Sequence, residues 1–309
     1  MKPIMRKFQQ DDDYWRIRAF LRKVLLLNDR EQKSWDVARF DYWRWHGILN
    51  MNDGTLEDDV FIWENGAGDI IAVLNREAPG SVFLQVHPQC RTDQLEAEML
   101  AVAELYLAVT DNSGQRSLHV WARKDDISRQ ETLKKQGYHI SEKHKSEHQR
   151  RRFFSEPIAS MPVAEGYIIR SMGDIDEHRK KELASWRAFH PDESDEGFEP
   201  GWYRNVQRAP LYRRDLDIVA VAPDGEYAAF CTIWFDDVLR TGHFEPVGTA
   251  PQHQRRGLGT CLLTEGLIRL RGLGGDLAYV GSYAEPAHTL YKSAGFETYS
   301  ILEPWIKEV

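Results

Sequence analysis

The stretch "PVGTAPQHQRRGLGTCLLTEGL", residues 246–267, sets Arg255 and Arg256 ahead of Gly257 and Gly259 at the start of a helical pattern. Residues of these types at that place can hold an anion. The first amides of a helix lack intrahelical partners and carry about half a positive charge, so they attract phosphate. Glycine lets that backbone approach an anion with no side chain in between. Leu263, Leu267 and Leu270 recur at helical spacing, and "GLGG" after Arg271 ends the helix. The chemistry suggested is the grip of a pyrophosphate. Two phosphate loops are excluded: there is no G-x-x-x-x-G-K-[ST], and Gly257-Leu258-Gly259 continues into Thr260, Cys261 and Leu262, which breaks G-x-G-x-x-G. On the loop alone, incidental glycines at a helix start stand as the competing reading.

The elements that would position this loop recur. "IMRKFQQDDDYWRIRAFL" near the start resembles "IIRSMGDIDEHRKKELAS" from Ile168, each a short strand, an acidic turn and a helix. "DVFIWENGAGDIIAVLN" resembles "DIVAVAPDGEYAAFCTI", two strands about a Gly-containing turn. "SVFLQVHPQ" parallels "HFEPVGTAPQ", strands running to Pro88 and Pro251. A helix and a strand follow each proline. Both copies close in a helix with a glycine cap, "ETLKKQGY" at Gly137 and "TLYKSAGF" at Gly295. These patterns imply two copies of a mixed α+β domain, over residues 1–155 and 164–309, joined around "RRRFFSEPIASMPVAEG". Arg150, Arg151 and Arg152 read as a solvated strand or linker face, with an anion contact as the alternative.

Composition narrows the class. A chain of 309 residues suits two domains rather than one core. A net charge of −8 argues against a general nucleic-acid binder. Cys90, Cys231 and Cys261 have no metal or redox spacing, so no metal is expected and a reducing cytoplasm is the plain location. The start "MKPIMRKFQQDDD" lacks an apolar signal core and no run reaches membrane-spanning length, so no membrane is expected.

Gln254, Arg255, Arg256, Gly257, Leu258 and Gly259 resemble the acetyl-CoA signature of the GNAT superfamily of N-acyltransferases, Gln/Arg-x-x-Gly-x-Gly/Ala, and "TLYKSAGFE" from Thr289 resembles that family's later helix. The two motifs come in the family's order, and the repeat extends the resemblance over nearly the whole chain. The resemblance implies a mostly antiparallel sheet flanked by helices in two tandem domains. It is similar to tandem members, mycothiol synthases among them, in which one half is degenerate. It further implies acetyl-CoA as donor, its pyrophosphate on the amides from Arg255 to Thr260, and its pantetheine arm along the splayed strand at Val247, Gly248 and Thr249. Pro246 in that strand fits a distorted, edge-like segment.

By the same resemblance, Glu245, twelve residues before Gly257, matches the general base and Tyr291 the general acid that protonates the departing thiolate. An alkyl amine of pKa roughly 10.4 is neutral only on the order of one part in a thousand or less near pH 7, so a base matters. Tyrosine is a neutral donor at that pH. A solvent-facing strand carboxylate and a packed aromatic with a satisfied hydroxyl are the competing structural roles. The first copy has Leu133 at the tyrosine's place and no glycine loop, so only the second is expected to bind cofactor. Where the family usually has an asparagine, Ala284 stands before the last helix, and His288 is no obvious substitute.

The segment "SWRAFHPDESDEGFEPGWYRNV" concentrates acidic residues near Trp186, Trp202 and Tyr203. Such a wall suits a cationic amine, although a solvated acidic loop is the simpler reading. The acceptor is expected to be a small-molecule or peptidic amine. A longer acyl-CoA, or a CoA-binding regulator without turnover, are the alternatives, and oligomeric state is not readable.

Overall fold

The computed structural model describes residues 3–51 and 54–309; Met1 and Lys2 of the N-terminal stretch lie outside the described residues. The chain forms two compact units, Met1–His148 with Ser300–Val309, and Gln149–Tyr299.

In chain order the first half holds β1 (Ile4–Lys7), α1 (Asp11–Leu27), α2 (Val37–Tyr42), α3 (Leu56–Asp59), β2 (Val60–Glu64), β3 (Ile70–Ala78) and β4 (Ser81–Val86). Next come α4 (Asp93–Tyr106), β5 (Val109–Thr110), β6 (Arg116–Arg123), α5 (Ile127–Lys135), β7 (His139–Ile140) and β8 (Glu147–Phe153). The second half holds β9 (Ile168–Ser171), α6 (His178–Phe189), α7 (Tyr203–Gln207), β10 (Asp217–Val221), β11 (Tyr227–Asp236) and β12 (Thr241–Thr249). It ends with α8 (Leu258–Gly272), β13 (Leu277–Ser282), α9 (Glu285–Ser293) and β14 (Glu297–Glu308). Every repeated pattern read above becomes the same element in both halves.

The glycine caps form for the expected reason. Gly137 and Gly295 have φ of 87° and 78°, and the next amides, of Tyr138 and Phe296, return to the Leu133 and Tyr291 carbonyls. That closure satisfies helix-end acceptors at a left-handed residue.

Each unit is a mixed α+β layer structure. The first unit's sheet runs β1-β2-β3-β4-β6-β14, antiparallel except for β4 with β6. The second runs β9-β10-β11-β12-β13-β8, and β12 with β13 is parallel. In the second unit Leu262, Leu263, Leu267 and Leu270 of α8 are fully buried against Ile233, Phe244 and Val280 of the sheet.

The units do not divide where the sequence repeat does. The expected boundaries, 1–155 and 164–309, put the last strand in the second domain and residues 149–153 in the first. Backbone ladders decide otherwise. Residues 302–308 of β14 pair with β6 from Leu302 opposite Arg123 to Glu308 opposite Ser117, and Trp305 is buried in the first unit's core. Residues 149–153 of β8 lie beside β13 in the second unit. The arginine run expected in the join is thus a structural strand.

Candidate active site

The site begins where β12 leaves its neighbours. Cys231 pairs with Val247, and Ile233 with Phe244, so β12 has one residue more than β11 across Glu245 and Pro246. This is a β-bulge, and it sits at the proline that cannot donate to a ladder. On its other side β12 pairs with β13 only from Thr241 opposite Leu277 to His243 opposite Tyr279. Beyond that point the strands part, and residues 245–249 are half-buried. Gly248 is required by packing: a Cβ there would come within 2.4 Å of the Phe230 ring and 3.0 Å of Ala188.

The strand leads through Pro251 into a short 3-10 turn and then the glycine loop. Arg255 and Gly257 have left-handed backbone, φ 63° and 76°, and Gly257 caps α8 with no side-chain bond. An added Cβ at Gly257 would meet nothing within 4 Å, so the glycine answers to backbone conformation and the space beside it is open. The first return bond of α8 runs from Cys261 N to the Gly257 carbonyl at 3.0 Å. The amides of Leu258, Gly259 and Thr260 therefore precede the helical ladder and face no intrahelical acceptor. The Gln254 side chain donates to the Thr249 carbonyl at 3.3 Å, tying the loop to the strand end.

Strand, loop and α9 enclose a cleft of about 800 Å³, within the usual range for ligand sites. Val247, Gly248, Thr249, Gln254, Arg255, Gly257, Leu258, Gly259 and Thr260 all line it. Arg256 is not among the lining residues; its guanidinium carbon lies 5.9 Å from the Tyr167 ring centre. Ala188 and Phe189 of α6 close another wall, which the sequence did not assign.

Tyr291 lines the same cleft from α9 and is 7% exposed. Its ring packs edge-on to Phe296, yet its hydroxyl takes no hydrogen-bond partner among the described residues. Burial raises the hydroxyl well above the ordinary tyrosine value, the Glu245 charge adds to this, and Arg150 opposes it. Tyr291 is therefore a neutral donor across the physiological range.

Glu245 occupies the bulge rather than the cofactor cleft. Its carboxylate is half-buried, 3.5 Å from His243 Nε2, and its carbonyl accepts from Trp234 Nε1. Its charge is near enough to add to the raised Tyr291 hydroxyl pKa.

Three side chains on β8, β13 and α9 were given no role in the site by sequence. Arg150 of β8 is buried and donates to Ser282 Oγ at the end of β13. Ser282 Oγ is 2.8 Å from His288 Nδ1 on α9. This overturns the solvated reading of Arg150. Ala284 is the N-cap of α9 and supplies no side-chain bond. The signal that could have found His288 is its spacing, three residues before Tyr291 and hence on one helix face.

The acidic stretch is exposed, and Asp195 pairs with Arg187. Tyr203 is not a surface aromatic. It is buried, with its hydroxyl on Asp217, which also takes the fully buried Lys181 at 3.0 Å and the Tyr212 hydroxyl at 2.9 Å. That cluster anchors α6 and α7 to the sheet. Among the described residues no group of His, Cys, Asp and Glu could hold a metal, and no helix is long and apolar enough to cross a membrane.

A parted strand pair, a glycine turn and a helix end thus surround one cleft. Residues 181–296 match the family model described as acetyltransferase (GNAT) family. The fold of nearly the whole chain is similar to a GCN5-related N-acetyltransferase from Sphaerobacter thermophilus. That match has TM-score 0.68 at 17% identity and covers 99% of this chain and 95% of that one. It is equally similar to a tandem GNAT protein from the clavulanic acid biosynthesis pathway, with TM-score 0.68, 14% identity and coverage of 99% and 98%. A GNAT-family acetyltransferase from Colwellia psychrerythraea gives 0.61 at 10% identity, covering 98% and 100%. No curated protein sequence matches the chain. Residues 181–296 are thus an acetyltransferase domain of the GNAT family, a family of acyltransferases that draw on acyl-CoA, and the fold of nearly the whole chain is similar to that of a tandem GNAT protein.

Proposed function

We propose that the second unit moves the acetyl group of acetyl-CoA directly to a primary amine, with Glu245 as general base and Tyr291 as general acid. The amides from Arg255 to Thr260 hold the pyrophosphate, and the pantetheine arm adds along Val247, Gly248 and Thr249 as an extra strand would. The observation that carries this reading is Tyr291: a core aromatic whose unpartnered hydroxyl lines the cleft. A tyrosine kept only for packing would have its hydroxyl satisfied. Glu245 takes a proton from the ammonium, the amine nitrogen attacks the thioester carbonyl, and the C–S bond breaks as Tyr291 protonates sulfur. The acceptor is a small-molecule or peptidic primary amine that approaches from the Glu245 side. The exposed acidic stretch after α6 favours a cationic one.

Thiol release from acetyl-CoA with spermidine, kanamycin, a lysine peptide and glutamate tests this. Release is expected with the cationic amines, and Glu245→Gln and Tyr291→Phe should each lower kcat by roughly a hundredfold or more. Calorimetry that finds CoA bound but no release with any amine would favour a regulator. Release only from longer acyl-CoA donors would replace acetyl as the group.

A further inference from the structure

We propose that Arg150, from the strand between the two sequence repeats, is a positioning residue for the acid step: through Ser282 and His288 it fixes α9, and its charge stabilises the tyrosinate that Tyr291 becomes. This rests on the reading of Tyr291 as the acid.

The Arg150 guanidinium can only donate, so Ser282 Oγ accepts from it and, with a second lone pair and its own proton, bonds His288 Nδ1 in either direction. Burial, with the neighbouring Arg150 cation, holds the His288 pKa below the ordinary value, which favours the neutral ring. His288 and Tyr291 are three residues apart on α9 and share a face. Holding His288 therefore holds the helix turn that carries the acid.

The charge has a second consequence. Tyr291 faces Cys231 from β11, Glu245 from β12 and Arg150 from β8, while α9 itself brings His288 and Glu285. Burial and Glu245 disfavour the tyrosinate, and Arg150 favours it. In the step, the C–N bond forms and the C–S bond breaks; sulfur takes the Tyr291 proton, and the tyrosinate regains one from water. Glu245 releases to solvent the proton it took from the ammonium, and the nitrogen loses its second proton to water as the adduct collapses, so the sum is amide, free thiol and one proton. A cation near the transient tyrosinate lowers the barrier where the anion develops.

The test uses the full chain, acetyl-CoA and the amine of highest turnover in the panel above. Arg150→Met should lower kcat roughly tenfold with KM for acetyl-CoA within about twofold, and Arg150→Lys should recover most of the loss. In a Tyr291→Phe background, Arg150→Met should cost no further kcat, because the group it serves is gone. Ser282→Ala breaks the chain with little change in packing and should show the same dependence on Tyr291; it decides the matter if Arg150→Met does not fold. Equal losses with and without Tyr291 would overturn the inference, as would full kcat in both variants while Tyr291→Phe loses activity. Full activity in Tyr291→Phe itself would instead remove the acid reading on which the inference rests.

Discussion

The two units part their sheets at the same place and fill the gap differently. In the first, β4 and β6 pair only at Ser81 opposite His119 and Val82 opposite Val120, then diverge as β12 and β13 do. Counting back from Pro88 and Pro251, Leu84 corresponds to Val247. Arg129 of α5 donates to the Leu84 carbonyl at 3.0 Å, the strand position proposed to pair with pantetheine in the second unit. Arg129 also grips Glu96 at 2.6 Å in the first turns of α4, where the second unit offers open amides. Arg91 joins Glu96, at 2.8 Å, to Asp126. Thr92 caps α4 through its side chain, accepting from Leu95 N, where Gly257 caps α8 with none. A guanidinium thus supplies strand donors and a carboxylate supplies negative charge at a helix start. The first unit carries in its own side chains what the second leaves for a ligand.

The largest expected effect comes from removing the built-in substitute. Glu96 and Arg129 are both buried, so Glu96→Ala leaves cations uncompensated and should destabilise the first unit by about 3–5 kcal/mol. Denaturant unfolding reads this. CoA affinity should not change, since the gap opened has no glycine loop; CoA bound with doubled stoichiometry would break the comparison. The reciprocal experiment adds the ligand to the open unit. CoA at a hundred times its Kd should stabilise by about 2.7 kcal/mol. Amide protection should rise within Gln149–Tyr299 and not in Met1–His148, and uniform protection would contradict an inert first unit.

These contrasts were only partly legible in the sequence. The glycine loop, the two helix caps and the bulge at Pro246 are local features, set by left-handed backbone or a missing donor, and residue identity reveals them. The network of Arg91, Glu96, Asp126 and Arg129 was not legible, because a charged residue reads as solvated until its partner is known. Arg129 and Glu96 stand on different helices, and only the fold joins them. Arg150 failed for the same reason. The exchange of β14 and residues 149–153 between units was hidden because strand pairing is decided by ladders distant in sequence, while the repeat follows chain order.

A smaller effect sharpens the loop itself. Gly257→Ala places a Cβ in open space but at φ 76°, which costs about 1–2 kcal/mol. The fold should survive, and calorimetry should show CoA affinity reduced by roughly tenfold as the loop relaxes from its binding geometry. Thr92→Gly in the first unit should cost a few tenths of a kcal/mol and create no CoA binding. Gain of binding there would mean that a glycine alone makes the site.

The smallest effect belongs to what the units share. Arg6 pairs with Asp13 in the first, and Arg170 with Glu177 in the second, each a strand arginine with a carboxylate seven residues on. Hydrogen bonding to Arg170 holds Glu177 down, from the ordinary 4.5 to about 2. Burial pushes Asp13 up, but the Arg6 hydrogen bond outweighs it and leaves the carboxyl below its usual value. A depressed carboxylate stabilises the fold above its unfolded pKa, and that stability is lost as pH falls through the folded one. Acid unfolding should therefore steepen below pH 3.8 for the first unit, and from pH 4.5 down to about 2 for the second. Glu177→Gln and Asp13→Asn should each flatten the slope of their own unit, by about 1 kcal/mol or less because the arginines are partly solvated, and less again in salt. A slope removed from one unit but not the other would show that this inherited clasp, like the cleft, has diverged.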